Sequence, residues 1–468
     1  MKTILLFAII LTLISPIITR IHRLDIHNED RRNILLSKFG FNQGGYLDVH
    51  ILNFHAMPKN SKALFGFSLI HTPIISGYDL QSDDDYCILR DETPSVYNVA
   101  ITTFSFDLDN KMLKIKCNDD GLDSSSFRYI HIYNAHEELR KTKICKDLTF
   151  NMTITSQEIN DQMFFNIYYH MEVETTEKEG LYYLYLHNCH DKNSDVTSLT
   201  YEAYITETNI GSFISAGKRH LPALYYMQSL MLFMFGIFWV LHLKSSHPIL
   251  KLHQMMTAFV FLKSFSLFFH GVYCYFIKTL GVSLVPWAVL FHSFDLLTNI
   301  LLFAIILFVG TSWTYGNISR IFKNKMFIIA FISLQVLVNT AEIIMEENQI
   351  GSRIYDSWET VYIIGDLLCC VLLIVIVILT IRKLKKASSM DTTISIKIKK
   401  LTKLLKYFYI VVVIYIYCTR IIVSILKCTL NFQYEWFVVM FKEMLSLIFF
   451  MIITYMFKPT TFIYFKGC

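Results

Sequence analysis

Seven hydrophobic stretches fill the second half of the chain, at roughly 222–243, 253–277, 286–310, 326–345, 359–381, 408–427 and 436–457. About 20 apolar residues at 1.5 Å rise cover a hydrocarbon core ~30 Å thick, so each stretch predicts a transmembrane helix. An odd number of spans puts the two chain ends on opposite sides of the membrane. The first half has a different rhythm. Short runs rich in β-branched and aromatic residues recur at 46–54, 63–70, 96–106, 111–117, 127–133, 148–154, 163–173, 180–186 and 197–206. Turn-forming clusters such as SDDDY, NDDG and EKEG separate them, and runs such as LYYLYL and YEAYIT alternate. About eight strands at this spacing predict an all-β sandwich. The expected order is a signal peptide over 1–19, a β-sandwich over 20–215, a seven-helix bundle over 216–460 and a short tail over 461–468.

Composition agrees with a membrane protein. Of 468 residues, 53% are hydrophobic and only 17% are charged, below the ~25% usual for soluble domains. The net charge of +5 sits in loops beside the spans, so it is no signal for nucleic acid, and no nucleic-acid partner is expected. The opening MKTILLFAIILTLISPIIT has the basic start, apolar centre and proline break of a secretory signal. A cleaved signal would leave the β-domain in the lumen and the C-terminus in the cytosol. Sixteen Lys and Arg then face the cytosol, and three (Lys278, Arg353 and Lys427) lie in luminal loops between spans. That asymmetry follows the positive-inside rule. Nine of the sixteen lie in the loop from Arg382 to Lys406. This loop is the candidate contact for anionic membrane lipid and for a trafficking adaptor or a G protein.

Four cysteines fall in the β-domain: Cys87, Cys117, Cys145 and Cys189. An oxidising lumen favours two disulfides, and four cysteines allow three connectivities. Cys274 and Cys428, near luminal helix ends, are further candidates. Asn151 opens a glycosylation sequon on the luminal side, whereas the sequon at Asn317 is expected to be cytosolic and unmodified. In the run HNCH, His187 and His190 flank a disulfide cysteine, and no second ligand pair spaced for zinc accompanies them. No metal or cofactor is predicted, nor any catalytic residue. His292 and Asp295 share a helix face without an HxxxH or HExxH partner, and His253 and His270 have no counterpart pair on another helix.

Ionisable groups inside a bilayer are costly and tend to face the bundle interior. The spans hold Lys263, Asp295, Asn299, Asn339, Glu342, Asp366, Tyr415, Arg420, Lys442 and Glu443. Helical rise places Asp366, Arg420 and Glu443 about 10 Å from the luminal surface, with Lys263 and Asp295 nearer mid-bilayer. Two arrangements fit this convergence. One is a luminal-side polar cavity for a head group, peptide or ion, and the other is a set of interhelical salt bridges.

Several segments resemble one family. They are ISAGKRHLPALYY (Ile214 to Tyr226), LKLHQMMTAFVFLKSFSLFFH (Leu250 to His270), PWAVL (Pro286 to Leu290) and LQVLVNTAEIIMEE (Leu334 to Glu347). WETVYIIGDLLCC (Trp358 to Cys370), YIYCTRIIV (Tyr415 to Val423) and TYMFKPT (Thr454 to Thr460) continue the pattern. YCIL (Tyr86 to Leu89) and GLYYLYLHNC (Gly180 to Cys189) extend it into the β-domain. Together they resemble the lung seven-transmembrane receptor family, GOLD-domain seven-helix proteins of the Golgi. The resemblance implies a luminal GOLD-like β-sandwich on the bundle, and residence in Golgi or post-Golgi membranes, with endosome and plasma membrane as further sites. It also implies a part in membrane trafficking and protein transport, with luminal cargo or partner proteins. It further implies that Cys87 pairs with Cys189, which leaves Cys117 with Cys145. Thr298-Asn299 stands where the family carries a Lys-Gly pair. A ligand-activated signalling receptor is the alternative, and a channel or transporter a third. The DRY and NPxxY motifs of rhodopsin-like receptors are absent.

Overall fold

The structure is a computed structural model and describes residues 21–58, 63–75, 87–90, 99–107, 112–118, 133–134, 137–138, 148–151, 155–159, 162–189, 197–245, 251–312, 325–348, 352–388 and 395–458. The strands are β1 (Ile21–Glu29), β2 (Asn33–Phe41), β3 (Tyr46–Met57), β4 (Leu64–Thr72), β5 (Ala100–Asp107), β6 (Met112–Asn118) and β7 (Tyr133–Asn134). They continue as β8 (Glu137–Glu138), β9 (Leu148–Asn151), β10 (Thr155–Ile159), β11 (Gln162–Glu172), β12 (Gly180–Cys189) and β13 (Ser198–Thr208). One sheet has the order β1-β13-β3-β11-β10, the other β2-β12-β4-β5-β6-β9, and β7 and β8 form a separate pair. Every pairing is antiparallel. The core between the sheets holds Leu24, Phe41, Ile51, Phe54, Phe104, Tyr169 and Leu184.

The hydrophobic pattern missed β1 and β2. In β1 only Ile21, Leu24 and Ile26 are apolar, and His, Arg, Asp, Asn and Glu fill the rest. The expected strand at 127–133 falls almost wholly outside the described residues. β12 differs from its alternating sequence in a more telling way, because all its residues are buried. Tyr182, Leu184 and Leu186 face the other sheet. Leu181, Tyr183 and Tyr185 face a second apolar cluster with Ile88, Leu89, Ala216 and Phe432. That cluster includes Cys87 and Cys189, which form a disulfide. Cys145 lies outside the described residues, as do the sequon at Asn317 and His190. Cys117 pairs with Thr102 in the β5–β6 ladder, and Asn151 pairs with Met112 at the end of β9. Cys274 and Cys428 are free thiols, which corrects their standing as further disulfide candidates.

His187 lies inside β12 and is fully buried. Its Nδ1–H donates to Asn33 Oδ1 at 2.8 Å, and its Nε2 accepts from the Ser68 hydroxyl at 2.7 Å. Burial pushes its pKa down to about 3, so it is a neutral structural histidine that ties β12 to β2 and β4.

Seven long helices follow among the described residues: α1 (Leu221–Lys244), α2 (Lys251–Leu280), α3 (Val285–Ser312), α4 (Lys325–Glu347) and α5 (Arg353–Ser388). α6 runs from Ser395–Tyr417 through a π turn, Cys418–Ile422, into Val423–Thr429, and α7 spans Glu435–Met456. Pro222 sits in the first turn of α1, where its missing N–H costs nothing. α2 ends at Gly281, whose φ of +68° suits glycine and closes the helix on Ile277 O. Among the described residues, five helical segments, in α1, α2, α3, α6 and α7, are apolar and long enough to cross a membrane. Their outer faces expose large apolar residues such as Leu230, Phe238, Leu241, Ile414 and Tyr455, as lipid-facing helices do. The basic segment from Arg382 to Lys406 was expected as a loop. Most of it instead extends α5 and begins α6, because its Lys, Arg and Leu favour helix.

Neighbouring helices pack in chain order, and α7 closes the ring against α1. The apolar core runs along the ring, from Leu221, Leu224 and Ile277 at the end by the β-domain to Met256, Val309, Phe408, Phe450 and Phe457 at the other. α4 and α5 share only a small cluster with α3, made of Phe303, Val338 and Cys369.

The sandwich is seated on one end of the ring. Ile74 and Asn431 form a β-bridge, Ile75 N–H donates to Leu430 O at 3.1 Å, and Phe432 N–H donates to Pro73 O at 2.8 Å. Phe432, from the α6–α7 connection, is thereby buried beneath β12. Gly217 is required here, since a Cβ would stand 2.1 Å from Phe432 O. A second contact is ionic: Arg353, opening α5, reaches Glu29 at 3.0 Å and also Asp30, while Arg31 bridges Glu29 at 2.9 Å and Asp356.

Burial alone would raise the Glu29 carboxyl, but hydrogen bonds from Arg31 and Arg353 outweigh it and hold the pKa at about 2. A depressed carboxyl stabilises the fold above its unfolded pKa and loses that contribution as pH falls through its folded pKa. The docked state should therefore lose on the order of 2–3 kcal/mol between pH about 4.5 and about 2. Hydrogen exchange in the first turns of α5 across that range, compared with Glu29→Gln, reads the effect. Identical acid profiles in the two proteins would remove Glu29 from the interface.

Candidate ligand cavity in the helical bundle

The weak apposition of α4 and α5 to the main apolar core leaves a cavity of about 380 Å³, within the size range of small-molecule sites. Each of the seven helices contributes to its wall. Lys263, Asp295, Asn299, Asn339, Glu342, Asp366, Tyr415, Arg420 and Glu443 all line it, as does Lys442. Glu346 near the end of α4 extends the wall toward the sandwich.

Lys263 is the hub on one side. Its Nζ lies 3.1 Å from Glu443 of α7 and 3.9 Å from Asp295 of α3. Asn299, one turn after Asp295, donates to Asp295 Oδ2 at 2.9 Å and to Asn339 Oδ1 at 3.0 Å. Asn339 passes the chain on by donating to Gln335 O at 2.7 Å. A polar network thus links α7, α2, α3 and α4.

On the other side, Arg420 meets Asp366 at 2.6 Å. Arg420 sits in the π turn of α6, and the extra residue in that turn rotates the helix face that follows. Tyr415 lies 3.2 Å from the Ser446 hydroxyl and stacks on Phe449 with 4.2 Å between ring centroids. His270 is held between the rings of Tyr225 and Phe291, and His292 lies 3.6 Å from Glu346. His253 is elsewhere, bonded at 2.8 Å to Phe457 O.

The two arrangements expected from the sequence coexist. Lys263, Asp295 and Glu443 are salt-bridged, as are Arg420 and Asp366, yet the groups still enclose a cavity. Sequence reasoning overlooked Ser266, Glu346, Tyr362 and Ser446 in its wall. Glu346 carried one signal, its spacing of one turn from Glu342. The hydroxyls carried none, since Ser and Tyr occur on any helix face.

An antiparallel two-sheet sandwich seated on seven helices, five of them with apolar spans among the described residues and with a polar cavity inside the ring, defines a multi-pass membrane protein with a folded domain outside the bilayer. The family model of the GOST seven-transmembrane domain matches residues 220–462, and the chain belongs to that family. It is similar to the protein called candidate G-protein coupled receptor 6 of Arabidopsis thaliana, with 30% identity over 250 residues. The match covers 53% of this chain and 58% of that relative, so the chain spans a little over half of the relative's length.

Proposed function

We propose that this is a non-enzymatic protein of Golgi and post-Golgi membranes that takes part in protein transport. In this reading the β-sandwich is a GOLD-like luminal domain that holds cargo or a partner protein, delivered to the lumen by an N-terminal signal. The C-terminus and the basic segment 382–406 face the cytosol, where anionic lipid and a trafficking adaptor would meet them. The observation that carries the reading is the double attachment of the sandwich to the bundle, through Phe432 and through Glu29, Arg31, Arg353 and Asp356. A domain tied this firmly to the helices can pass a load on one side of the membrane to the other, whereas a tethered domain cannot. The test is the location of a tagged full-length chain, with the secretion rate of luminal cargo after its depletion. Residence confined to the plasma membrane, with unchanged secretion, would rule the reading out.

A signalling receptor is the second reading, favoured by the name of the Arabidopsis relative and by a cavity lined by all seven helices. It calls for a G protein at the 382–406 segment. Ligand-independent nucleotide exchange under all conditions would exclude it.

A further inference from the structure

The bundle meets the sheet that contains β12, where Phe432 lies beneath that strand. The other sheet, β1-β13-β3-β11-β10, turns Leu24, Ile51, Tyr169 and Ala203 to the core. Alternation sends their neighbours outward, and the registers align four of them across four strands. Arg23 pairs with Tyr204, Tyr204 with His50, and His50 with Tyr168. The rings of His50 and Tyr168 lie 4.4 Å apart between centroids, and the Arg23 guanidinium stands 5.5 Å from the Tyr204 ring centre. Carboxylates flank this row. Asp25 and Glu202 pair on one side, and Asp48 and Glu172 lie on the other. Arg23 is the only Lys or Arg in the five strands. Their other acids are Glu29 and Glu207, held by Arg31 and Ser37, and Glu158 of β10. The β7–β8 pair beside β11 adds Glu137 and Glu138 and no base.

Rings beside carboxylates fit cations, since the ring face attracts the charge and the acid pairs with it. Arg23 shows the geometry on the protein's own surface: it covers Tyr204 and reaches Glu202 at 3.4 Å. We propose that this sheet face docks a basic, arginine- or lysine-rich segment of a partner protein, which repeats the Arg23 arrangement along the row. Four histidines set the condition for docking. His27, His50, His55 and His170 share the face, with His27 3.1 Å from Asp25 and His170 in contact with Asp48. Tyr46, 5.9 Å from the His170 ring, faces the same way. Histidine gains its charge between about pH 8 and about pH 5. Protonation adds positive charge to the face, and it tightens His27 and His170 on carboxylates that the segment needs. Both effects have the same sign, so the segment binds at neutral pH and leaves in acid. The inference rests on the trafficking reading in taking the sandwich as the part that meets partner proteins, and it is tested apart from it.

The test uses the purified full-length chain in phosphatidylcholine nanodiscs, titrated with a short fluorescent peptide that alternates arginine and glycine and read by anisotropy. Affinity at about pH 7.5 should fall about tenfold or more at about pH 5.5. The same peptide with glutamate in place of arginine should not bind. The double variant Asp25→Asn, Glu202→Gln should weaken binding about fivefold, as the loss of two exposed ion pairs allows. Arg23→Gln should instead tighten it about threefold, because the Tyr204 ring and Glu202 become open to the peptide. Misfolding cannot mimic that gain. With His27→Gln, His50→Gln, His55→Gln and His170→Gln combined, binding should persist in acid. No binding of the arginine peptide, preference for the glutamate peptide, equal affinity at the two pH values, or an Arg23→Gln variant that binds no better would each overturn the proposal. None of these results touches the location and secretion test, so the two readings fail separately.

Discussion

Replacing Lys263 by methionine should destabilise the helical bundle by about 3–5 kcal/mol, the cost of breaking a buried charge pair from one side. Lys263 serves two carboxylates, at 3.1 Å from Glu443 and 3.9 Å from Asp295, and its side chain is 14% exposed. Methionine keeps most of the volume but leaves two acids facing each other in a membrane interior. The apparent melting temperature of the full chain in detergent should fall by about 2–4 °C per kcal/mol lost. Most of the loss comes from the stranded charges rather than from the missing attraction. The triple variant Lys263→Met, Asp295→Asn, Glu443→Gln should therefore recover most of it. A single variant that melts with the wild type, or a triple variant worse than the single, would contradict this account of the network.

Removal of the Cys87–Cys189 disulfide is the second large effect. The bond closes a loop with a sequence separation of 102. Loop-closure entropy for a ring of that size is about 4–5 kcal/mol, and measured losses for native disulfides run about 2–5 kcal/mol. Packing should add to it here. The bond holds the segment carrying Ile88 and Leu89 against the outer face of β12, where both are buried with Tyr183 and Tyr185. In Cys87→Ser, Cys189→Ser that cover is no longer tethered. Hydrogen exchange of the β12 amides should quicken strongly, while amides in the far end of the bundle, around Phe450, should keep their protection. Equal protection of β12 in the two proteins would show that the segment holds its place by apolar contact alone.

The polar side chains of the bundle were legible in the sequence because a membrane makes them rare. Lys263, Asp295, Asp366, Arg420 and Glu443 stand out in otherwise apolar stretches. Which of them would pair was not legible. Lys263 and Glu443 are 180 residues apart, and their meeting depends on the rotation of α2 and α7 about their own axes. The π turn at Cys418–Ile422 has no breaker residue to announce it. In the β-domain, β12 reads as a strand with one wet face. Its complete burial comes from Phe432, contributed by the connection between the last two helices, and from the segment 87–90. Neither cover lies near β12 in the chain.

By itself, the sequence determined that the chain has seven membrane-crossing stretches beyond a β-rich domain, and which ionisable residues lie within them. Lipid imposes that constraint locally, since every stretch of about 20 residues must be apolar to cross. Only the tertiary structure decided that the sandwich is bolted to the ring at two places, that Lys263 joins two acids, and that Arg420 meets Asp366. Those outcomes depend on which helix faces meet. Helix rotation and the bends between elements are set by the packing of the whole chain, and no local pattern carries them.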